Sequence, residues 1–200
     1  MRSDARALPA VGVTGGVALQ AAASASATAA RRRIARRRAV TTASYDAAVK
    51  RVLITGMSAT GKSSVLAALA ARGHKTVDTD YGGWTERAGD EWLWREDRIT
   101  SLLETEDAGA LFVSGTVRNQ VKFYPRFDHV VLLSAPAEVM EERLRDRTTN
   151  PYGKDPFELA EILEFKRTVE PALRRAADLE VDTSDPLEEV VARILSLVRP

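Results

Sequence analysis

The 200-residue sequence contains no cysteine, only two histidines and few aromatic residues. Without cysteine, neither a disulfide framework nor a thiolate metal site is possible. His74 and His129 are not spaced as zinc ligands, so the sequence offers no zinc motif. It also lacks an apolar run of the length that a membrane-spanning helix needs, and we expect no membrane partner. The hydrophobic content of 44% is enough for one compact α/β domain.

The formal net charge of +1 hides two segments of opposite charge. Residues 1–44 hold eight arginines and one acid, Asp4. That leaves 21 of the 29 basic residues and 27 of the 28 acidic residues for the part from Tyr45 onward, a net charge of −6. A mildly acidic domain lacks the basic surface that nucleic-acid binding needs, so we expect no nucleic-acid partner.

Residues 1–44 consist mainly of Ala, Arg, Gly, Ser and Thr without apolar periodicity, which predicts a disordered leader. Three functional interpretations stay open. They are a secretory signal over the weakly apolar residues 11–23, an Arg-rich transit peptide, and a basic arm at 31–38. A fourth interpretation is that the start codon was assigned too far upstream. We expect an inert tail or a mis-assigned start, followed by one domain over residues 45–200.

From residue 45 onward, short apolar runs alternate with amphipathic segments. The predicted strands are short and rich in apolar residues: 51–55, 74–77, 110–114, 129–134 and 179–181. The predicted helices have apolar residues at helical spacing: 63–72, 91–104, 136–147, 155–177 with a bend near Pro171, and 185–198. Five strands separated by helices predict an α/β fold, a parallel sheet with helices on both faces.

One motif points directly to chemistry. Residues 56–63, GMSATGKS, match G-x-x-x-x-G-K-[ST] in full, between a predicted strand and a predicted helix. Such a P-loop turns successive backbone N–H groups and a helix start toward phosphate oxygens. Lys62 supplies a cation to the β- and γ-phosphates, and Ser63 coordinates magnesium. We therefore predict ATP and Mg²⁺ as cofactors, with nucleotide contacts from Gly56, Ser58, Ala59, Thr60, Gly61, Lys62, Ser63 and Ser64.

A pair of acids follows the second predicted strand. Asp78 and Asp80 lie at the carboxyl edge of the sheet, where open α/β sheets bind ligands. Residues two apart face the same side of an extended chain. This spacing suits one carboxylate for a magnesium-bound water and one for an acceptor hydroxyl. A solvated acidic turn before Gly82 and Gly83 is the alternative.

Together these features resemble the small P-loop metabolite kinases over about residues 51–198. The pattern is nearest to shikimate kinase, with the adenylate and gluconate kinases more distant. The resemblance also rests on GDEWLWRED at 89–97, similar to a substrate-binding Phe-Arg-x-x-Glu segment, and on the tail at 171–195. It implies a strand order of 2-3-1-4-5 and a small helical lid at about 148–156.

The resemblance further implies roles for single residues. Asp78 is then a metal-side residue with Ser63, and Asp80 contacts the acceptor. The lid segment 143–154 brings Arg143 to the nucleotide and Arg147 to the transferring phosphate. The implied catalytic residues are Lys62, Asp80 and Arg147. The loop after the last strand contacts adenine, which implies nucleotide contacts from Ser184 and Pro186.

The chain departs from the family after the third predicted strand. Ser114 stands where the nucleoside monophosphate kinases carry the Walker-B aspartate, so Asp78 must replace it. The segment 114–120 is otherwise nearer to those kinases than to shikimate kinases. The lid reads Asn150-Pro151 where shikimate kinases carry Arg-Pro.

Several residues are candidates for contacts with the acceptor. Arginines suited to gripping an anionic substrate, or simply to a solvated surface, are Arg95, Arg98 and Arg118. Tryptophans suited to stacking on a ring or sugar are Trp84, Trp92 and Trp94. For Trp92 a place in the core is the alternative, because it lies on the apolar stripe of its predicted helix.

Two classes of function fit these motifs. The first is ATP-dependent phosphotransfer to a small-molecule acceptor, with a nucleoside monophosphate as the alternative acceptor. The second is a regulatory, AAA-like ATPase that uses hydrolysis to change a partner interaction. The arginine-bearing lid and the Asp-x-Asp pair favour the kinase. We expect a cytoplasmic protein, because an ATP-dependent enzyme has little use outside the cell. We also expect a monomer or a simple homodimer.

Overall fold

The computed structural model describes residues 49–105, 107–148 and 150–199. The predicted leader at 1–44 lies outside this part of the chain. Seven strands are present in it: β1 (Lys50–Thr55), β2 (Lys75–Asp78), β3 (Thr85–Ala88), β4 (Glu91–Trp94), β5 (Ala110–Ser114), β6 (His129–Ser134) and β7 (Leu179–Asp182). The α-helices are α1 (Lys62–Ala70), α2 (Glu96–Leu103), α3 (Ala137–Asp146), α4 (Pro156–Thr168), α5 (Glu170–Ala176) and α6 (Leu187–Leu195), and two short 3-10 helices lie at Arg118–Lys122 and Tyr124–Arg126.

Five of these strands form a parallel sheet in the order β2-β5-β1-β6-β7. Without the β3–β4 hairpin this is the predicted order 2-3-1-4-5, so the predicted P-loop fold is confirmed. The central strand β1 pairs with β5 through Leu53 and Val113, and with β6 through Leu53 and Val130. The carboxyl ends of β1, β2, β5, β6 and β7 therefore meet along one edge, above which ligands bind in such sheets.

Alternating residues of the strands pack against helices on both faces of the sheet. On one face, Val52 and Ile54 are buried against α1 and α6. On the other, Leu53 is buried against α2 and Leu132 against α3, α4 and α5. Burial on two faces explains why these strands appear as continuous apolar runs in the sequence.

The predicted helix over 91–104 is wrong in its first turn. Residues Glu91–Trp94 form β4, which pairs antiparallel with β3, and α2 begins only at Glu96. Gly89 has a φ of 64° and opens the two-residue turn between the strands, as glycine does in tight hairpins. In this hairpin Trp94 is buried and Trp92 is half-buried, so the expected core position belongs to Trp94.

The predicted long helix over 155–177 is divided near Pro171 into α4 and α5. None of the helices in the described ranges is long and apolar enough to span a membrane.

Candidate functional site

The loop between β1 and α1 has the backbone of a phosphate cradle. Three of its residues have left-handed φ values: Gly56 (150°), Ala59 (65°) and Gly61 (87°). A Cβ on Gly56 would overlap the carbonyl oxygen of Leu133, so no other residue fits there. Gly61 is the N-cap of α1, and the positive end of that helix therefore faces the loop. This geometry suits the binding of phosphate groups by backbone N–H groups.

Ala59 is the one described non-glycine residue with a positive φ, a conformation that strains an L-residue. We expect Ala59→Gly to raise the free energy of unfolding by about 0.5–1 kcal/mol, measured by urea denaturation. The matched control is Ala67→Gly, on the exposed side of α1, which should lower it by about 1 kcal/mol. Equal losses in both variants would show that Ala59 does not hold the left-handed conformation.

Lys62 and Ser63 begin α1 and project toward the cradle. The Lys62 ammonium donates hydrogen bonds to the carbonyl oxygens of Gly56 (2.7 Å) and Met57 (3.0 Å). Burial lowers the pKa of Lys62, whereas the nearby Asp80 and Asp78 raise it. The Ser63 hydroxyl donates to a carboxylate oxygen of Asp78 at 2.9 Å. One lysine, one hydroxyl and two carboxylates therefore meet at the mouth of the loop.

Asp78 ends β2 and Asp80 lies in the turn that follows, while Thr79 between them is buried. The Thr79 hydroxyl donates to the Ser114 carbonyl (2.7 Å) and accepts from the indole N–H of Trp94 (2.8 Å). Asp80 keeps contact with the solvent of the cavity, and enclosure by the cavity walls raises the pKa of its carboxyl. The positive charge of Lys62 lowers that pKa, and the negative charge of Asp78 raises it by a smaller amount.

A cavity of about 1100 Å³ extends from the P-loop in both directions along the sheet edge. Toward β7 it is lined by residues of the following loop, including Thr183, Ser184 and Asp185. Toward β2 and β5 it is lined by Asp80, by the hairpin and by the segment after β5. The P-loop therefore lies between two lobes of one cavity, which fits a nucleotide on one side and an acceptor on the other.

The two lid arginines occupy different positions in the cavity wall. The guanidinium of Arg143 donates to the Ala59 carbonyl (3.3 Å) and to the hydroxyl (2.8 Å) and carbonyl (2.6 Å) of Thr183. It ties α3 to the P-loop and to the loop after β7. Arg147 donates to the carbonyls of Asn150, at 3.1 Å, and Tyr152, and burial lowers its pKa.

Most of the predicted nucleotide contacts line this cavity: Gly56, Ser58, Ala59, Gly61, Lys62, Ser63, Ser64, Arg143 and Ser184. The predicted catalytic residue Arg147 lines it as well. Thr60 does not, because its side chain is buried and donates to the Met57 carbonyl at 2.8 Å. Pro186 lies outside the lining as well.

Of the three arginines expected to contact the acceptor, Arg118 alone lines the cavity. Arg95 pairs with Asp97 at 3.6 Å, outside the cavity wall. Arg98 donates to the carbonyls of Gly82 (2.9 Å) and Gly83 (2.7 Å) and lies 4.5 Å from the centre of the Trp84 ring. Neither Arg95 nor Arg98 therefore faces the cavity in which an acceptor could bind.

Sequence reasoning missed a polar network that supports the P-loop. The Thr116 hydroxyl donates to the Gly56 carbonyl (2.8 Å), accepts from the Gly56 N–H (3.2 Å) and lies 3.2 Å from the Thr55 hydroxyl. Gln120 continues the network with a 3.0 Å hydrogen bond to Tyr124, whose pKa burial raises to about 12. The sequence contained a signal for this network, because Thr116 and Gln120 follow the buried strand β5 at the ligand-binding edge of the sheet.

The AAA domain family (AAA_18) matches residues 52–164, more than half of the chain, and the chain belongs to this family of P-loop proteins. A P-loop of this family implies nucleotide binding. No curated protein matches the chain in sequence.

Solved structures with the same fold include several kinases of small molecules. Shikimate kinase from Acinetobacter baumannii in complex with shikimate is 15% identical, with a TM-score of 0.53 over 75% of this chain and 93% of that chain. Shikimate kinase from Bacteroides thetaiotaomicron is 20% identical, with a TM-score of 0.53 over 74% and 98%. A sugar kinase from Janibacter sp. HTCC2649 is 21% identical, with a TM-score of 0.50 over 75% and 94%. At these identities the likeness establishes a fold like that of P-loop small-molecule kinases, and nothing about substrate.

Proposed function

We propose that the protein transfers the γ-phosphoryl group of ATP to a hydroxyl group of a small molecule. One observation carries the proposal: Asp80 lines the cavity beside Lys62, so a carboxylate faces the phosphate-binding loop from the β2 side. A carboxylate in this position can accept the proton of an acceptor hydroxyl. Since its pKa is raised, Asp80 is a stronger base than an ordinary aspartate.

The P-loop and the lobe toward β7 are the proposed nucleotide side. The loop N–H groups and Lys62 bind the phosphates, and Ser184 lies in the wall for the base. Arg143 holds the P-loop against the loop after β7 through its bonds to Ala59 and Thr183. Arg147, at the C-terminal end of α3, supplies a further cation for the charge that develops on the phosphoryl group during transfer.

The residues present fit a magnesium ion. Within the described ranges no group of three or more His, Asp or Glu side chains could hold a metal by itself, so phosphate oxygens and water must complete the coordination. Ser63 would be a direct ligand, and Asp78, hydrogen-bonded to it, would hold a metal-bound water. When bound, the ion neutralises phosphate charge. Asp78 thereby stands in for the Walker-B aspartate, whose position Ser114 occupies.

In the proposed reaction, Asp80 takes the proton of the acceptor hydroxyl as the oxygen forms a bond to the γ-phosphorus. The bond from that phosphorus to the bridging oxygen breaks, and ADP leaves with the electron pair. Lys62 and Arg147 compensate the negative charge of the phosphoryl group. In such transition states this group is only weakly bonded to the attacking oxygen and to the leaving oxygen.

A phosphorylation screen tests the proposal. The protein is incubated with Mg-ATP and a wide panel of hydroxylated metabolites, and products are read by mass spectrometry as the gain of one phosphoryl group. We expect at least one acceptor to be phosphorylated in a reaction that requires Lys62. ATP hydrolysis that no panel member accelerates, with no phosphorylated product, would instead support the regulatory ATPase.

A further inference from the structure

We infer that Thr116 is a positioning residue of the phosphate site, which acts on a bound nucleotide through Gly56 and Lys62. The inference rests on one half of the proposed function, the binding of ATP phosphates at the P-loop. It depends neither on the acceptor nor on phosphotransfer. It follows from the hydrogen bonds that hold the Lys62 ammonium and from the residues that hold its partners.

The Lys62 ammonium is held by two carbonyl groups of the P-loop. It donates to the carbonyl oxygens of Gly56 at 2.7 Å and of Met57 at 3.0 Å. An ammonium group carries three N–H donors in a tetrahedral arrangement, so two fixed hydrogen bonds also determine the direction of the third donor. This third donor remains for the β- and γ-phosphates of a nucleotide. The positions of two backbone carbonyl groups therefore set the direction of Lys62 toward the phosphates.

Each of these two carbonyl groups also accepts a hydrogen bond from a threonine. The Thr60 hydroxyl donates to the Met57 carbonyl at 2.8 Å, from within the P-loop. The Thr116 hydroxyl donates to the Gly56 carbonyl at 2.8 Å, from a position 60 residues further along the chain. Thr60 is thus a local contact of the loop with itself, whereas Thr116 ties the loop to the segment after β5.

Thr116 fixes both peptide groups of Gly56. Besides donating to the carbonyl of Gly56, its hydroxyl accepts a hydrogen bond from the Gly56 N–H at 3.2 Å. Gly56 has no side chain and a φ of 150°, so only contacts with its backbone can restrict it. The Thr55 hydroxyl, 3.2 Å from that of Thr116, can donate to the remaining lone pair. The single proton of the Thr116 hydroxyl is therefore committed to the Gly56 carbonyl.

The sheet holds Thr116 at this position. Strand β5 pairs with β1 up to Ser114, which lies opposite Ile54. The pairing continues for one residue, because the Gly115 N–H donates to the Ile54 carbonyl at 3.2 Å. Thr116 is the next residue and comes to lie beside Gly56, half-buried in the wall of the cavity. The P-loop is thus fastened to a central part of the sheet and not to a second loop.

Thr116→Val is expected to weaken nucleotide binding about tenfold, because it removes both hydrogen bonds to Gly56 and nearly keeps the shape of the side chain. Thr116→Ser retains the hydroxyl and should bind like the wild type. The matched control is Thr76→Val, the same change on β2 outside the cavity lining, which should leave binding unaltered. Affinity is measured by calorimetry with Mg²⁺ and a non-hydrolysable ATP analogue, well below the melting temperature of each variant.

A double-mutant cycle separates action through Lys62 from general support of the loop. In the Lys62→Ala background, Thr116→Val should change the affinity less than about twofold, since the group that it positions is already gone. Competition with a labelled nucleotide extends the measurement to weak binding. A second measurement needs no nucleotide: the isotope-labelled ammonium signal of Lys62 in the NMR spectrum, identified by its loss in Lys62→Ala. We expect this signal to shift in Thr116→Val and to stay in place in Thr116→Ser and Thr76→Val.

The outcomes distinguish this inference from the proposed function. Independent, additive losses in the cycle overturn the inference, and so does an unchanged affinity or an unchanged Lys62 signal in folded Thr116→Val. Thr116→Ala provides a second variant without the hydroxyl if the valine variant does not fold. A wild-type protein that binds the nucleotide but phosphorylates no acceptor contradicts the proposed transfer and leaves this test intact. If the wild-type protein binds no nucleotide, the proposed function fails and the inference fails with it.

Discussion

Lys62→Ala is expected to abolish phosphotransfer and to weaken ATP binding. Its ammonium lies over the P-loop, 2.7 Å from the Gly56 carbonyl oxygen, where the β- and γ-phosphates of a nucleotide would lie. Alanine leaves the backbone cradle intact but removes the fixed charge inside it. The loss of a preorganised electrostatic contact of this kind costs about 10²–10³-fold in kcat, and the loss of phosphate binding adds to the effect on kcat/KM.

The measurement is steady-state turnover of ATP together with equilibrium binding of a labelled nucleotide. The matched control is Lys75→Ala, which also removes a lysine. Lys75 begins β2, at the opposite edge of the sheet, and pairs with Asp107. It should affect stability slightly and turnover not at all. Near wild-type turnover in Lys62→Ala would contradict the assignment of the P-loop as the phosphate site.

Asp80→Asn and Asp78→Asn are expected to lose activity in different ways: the first in acceptor turnover, the second in its magnesium requirement. If Asp80 is the base, its amide variant should bind ATP nearly as tightly as the wild type and lose about 10²–10⁴-fold in acceptor turnover. Asp78→Asn weakens the support of Ser63, with which it shares a 2.9 Å hydrogen bond. It should raise the magnesium concentration needed for half-maximal activity about 10–100-fold and depress both hydrolysis and transfer.

Magnesium titrations of ATP hydrolysis and of acceptor phosphorylation separate the two variants. Asp107→Asn provides the control, because it removes a carboxylate from an exposed loop, away from the cavity. We expect it to match the wild type in both titrations. Should Asp80→Asn change neither transfer nor the affinity for the acceptor, the second carboxylate is structural and the regulatory ATPase becomes the better explanation.

The sequence alone was sufficient for the fold and for the position of the P-loop. Both depend on local patterns: continuous apolar runs for strands that are buried on two faces, and glycines at fixed spacing where the loop must turn. Both acids lie near Lys62, although β2 ends at Asp78 and Asp80 belongs to the following turn, not to the extended segment that the sequence predicts. Ser63 and Asp78 are hydrogen-bonded to each other, and the metal-side role of Asp78 stays a prediction.

The partners of the acceptor-side residues were decided only by tertiary structure. From the sequence, Arg95, Arg98 and Arg118 are equivalent cations. In the folded chain, Arg98 donates to two loop carbonyls and Arg118 forms an ion pair with Glu91. Glu91 takes this place because residues 91–94 form a strand, although their apolar spacing also fits a helix. A short aromatic segment satisfies both patterns, and pairing with β3 together with burial of Trp94 determines which one forms. Charge compensation between residues 27 positions apart depends on that choice, so local sequence could not determine it.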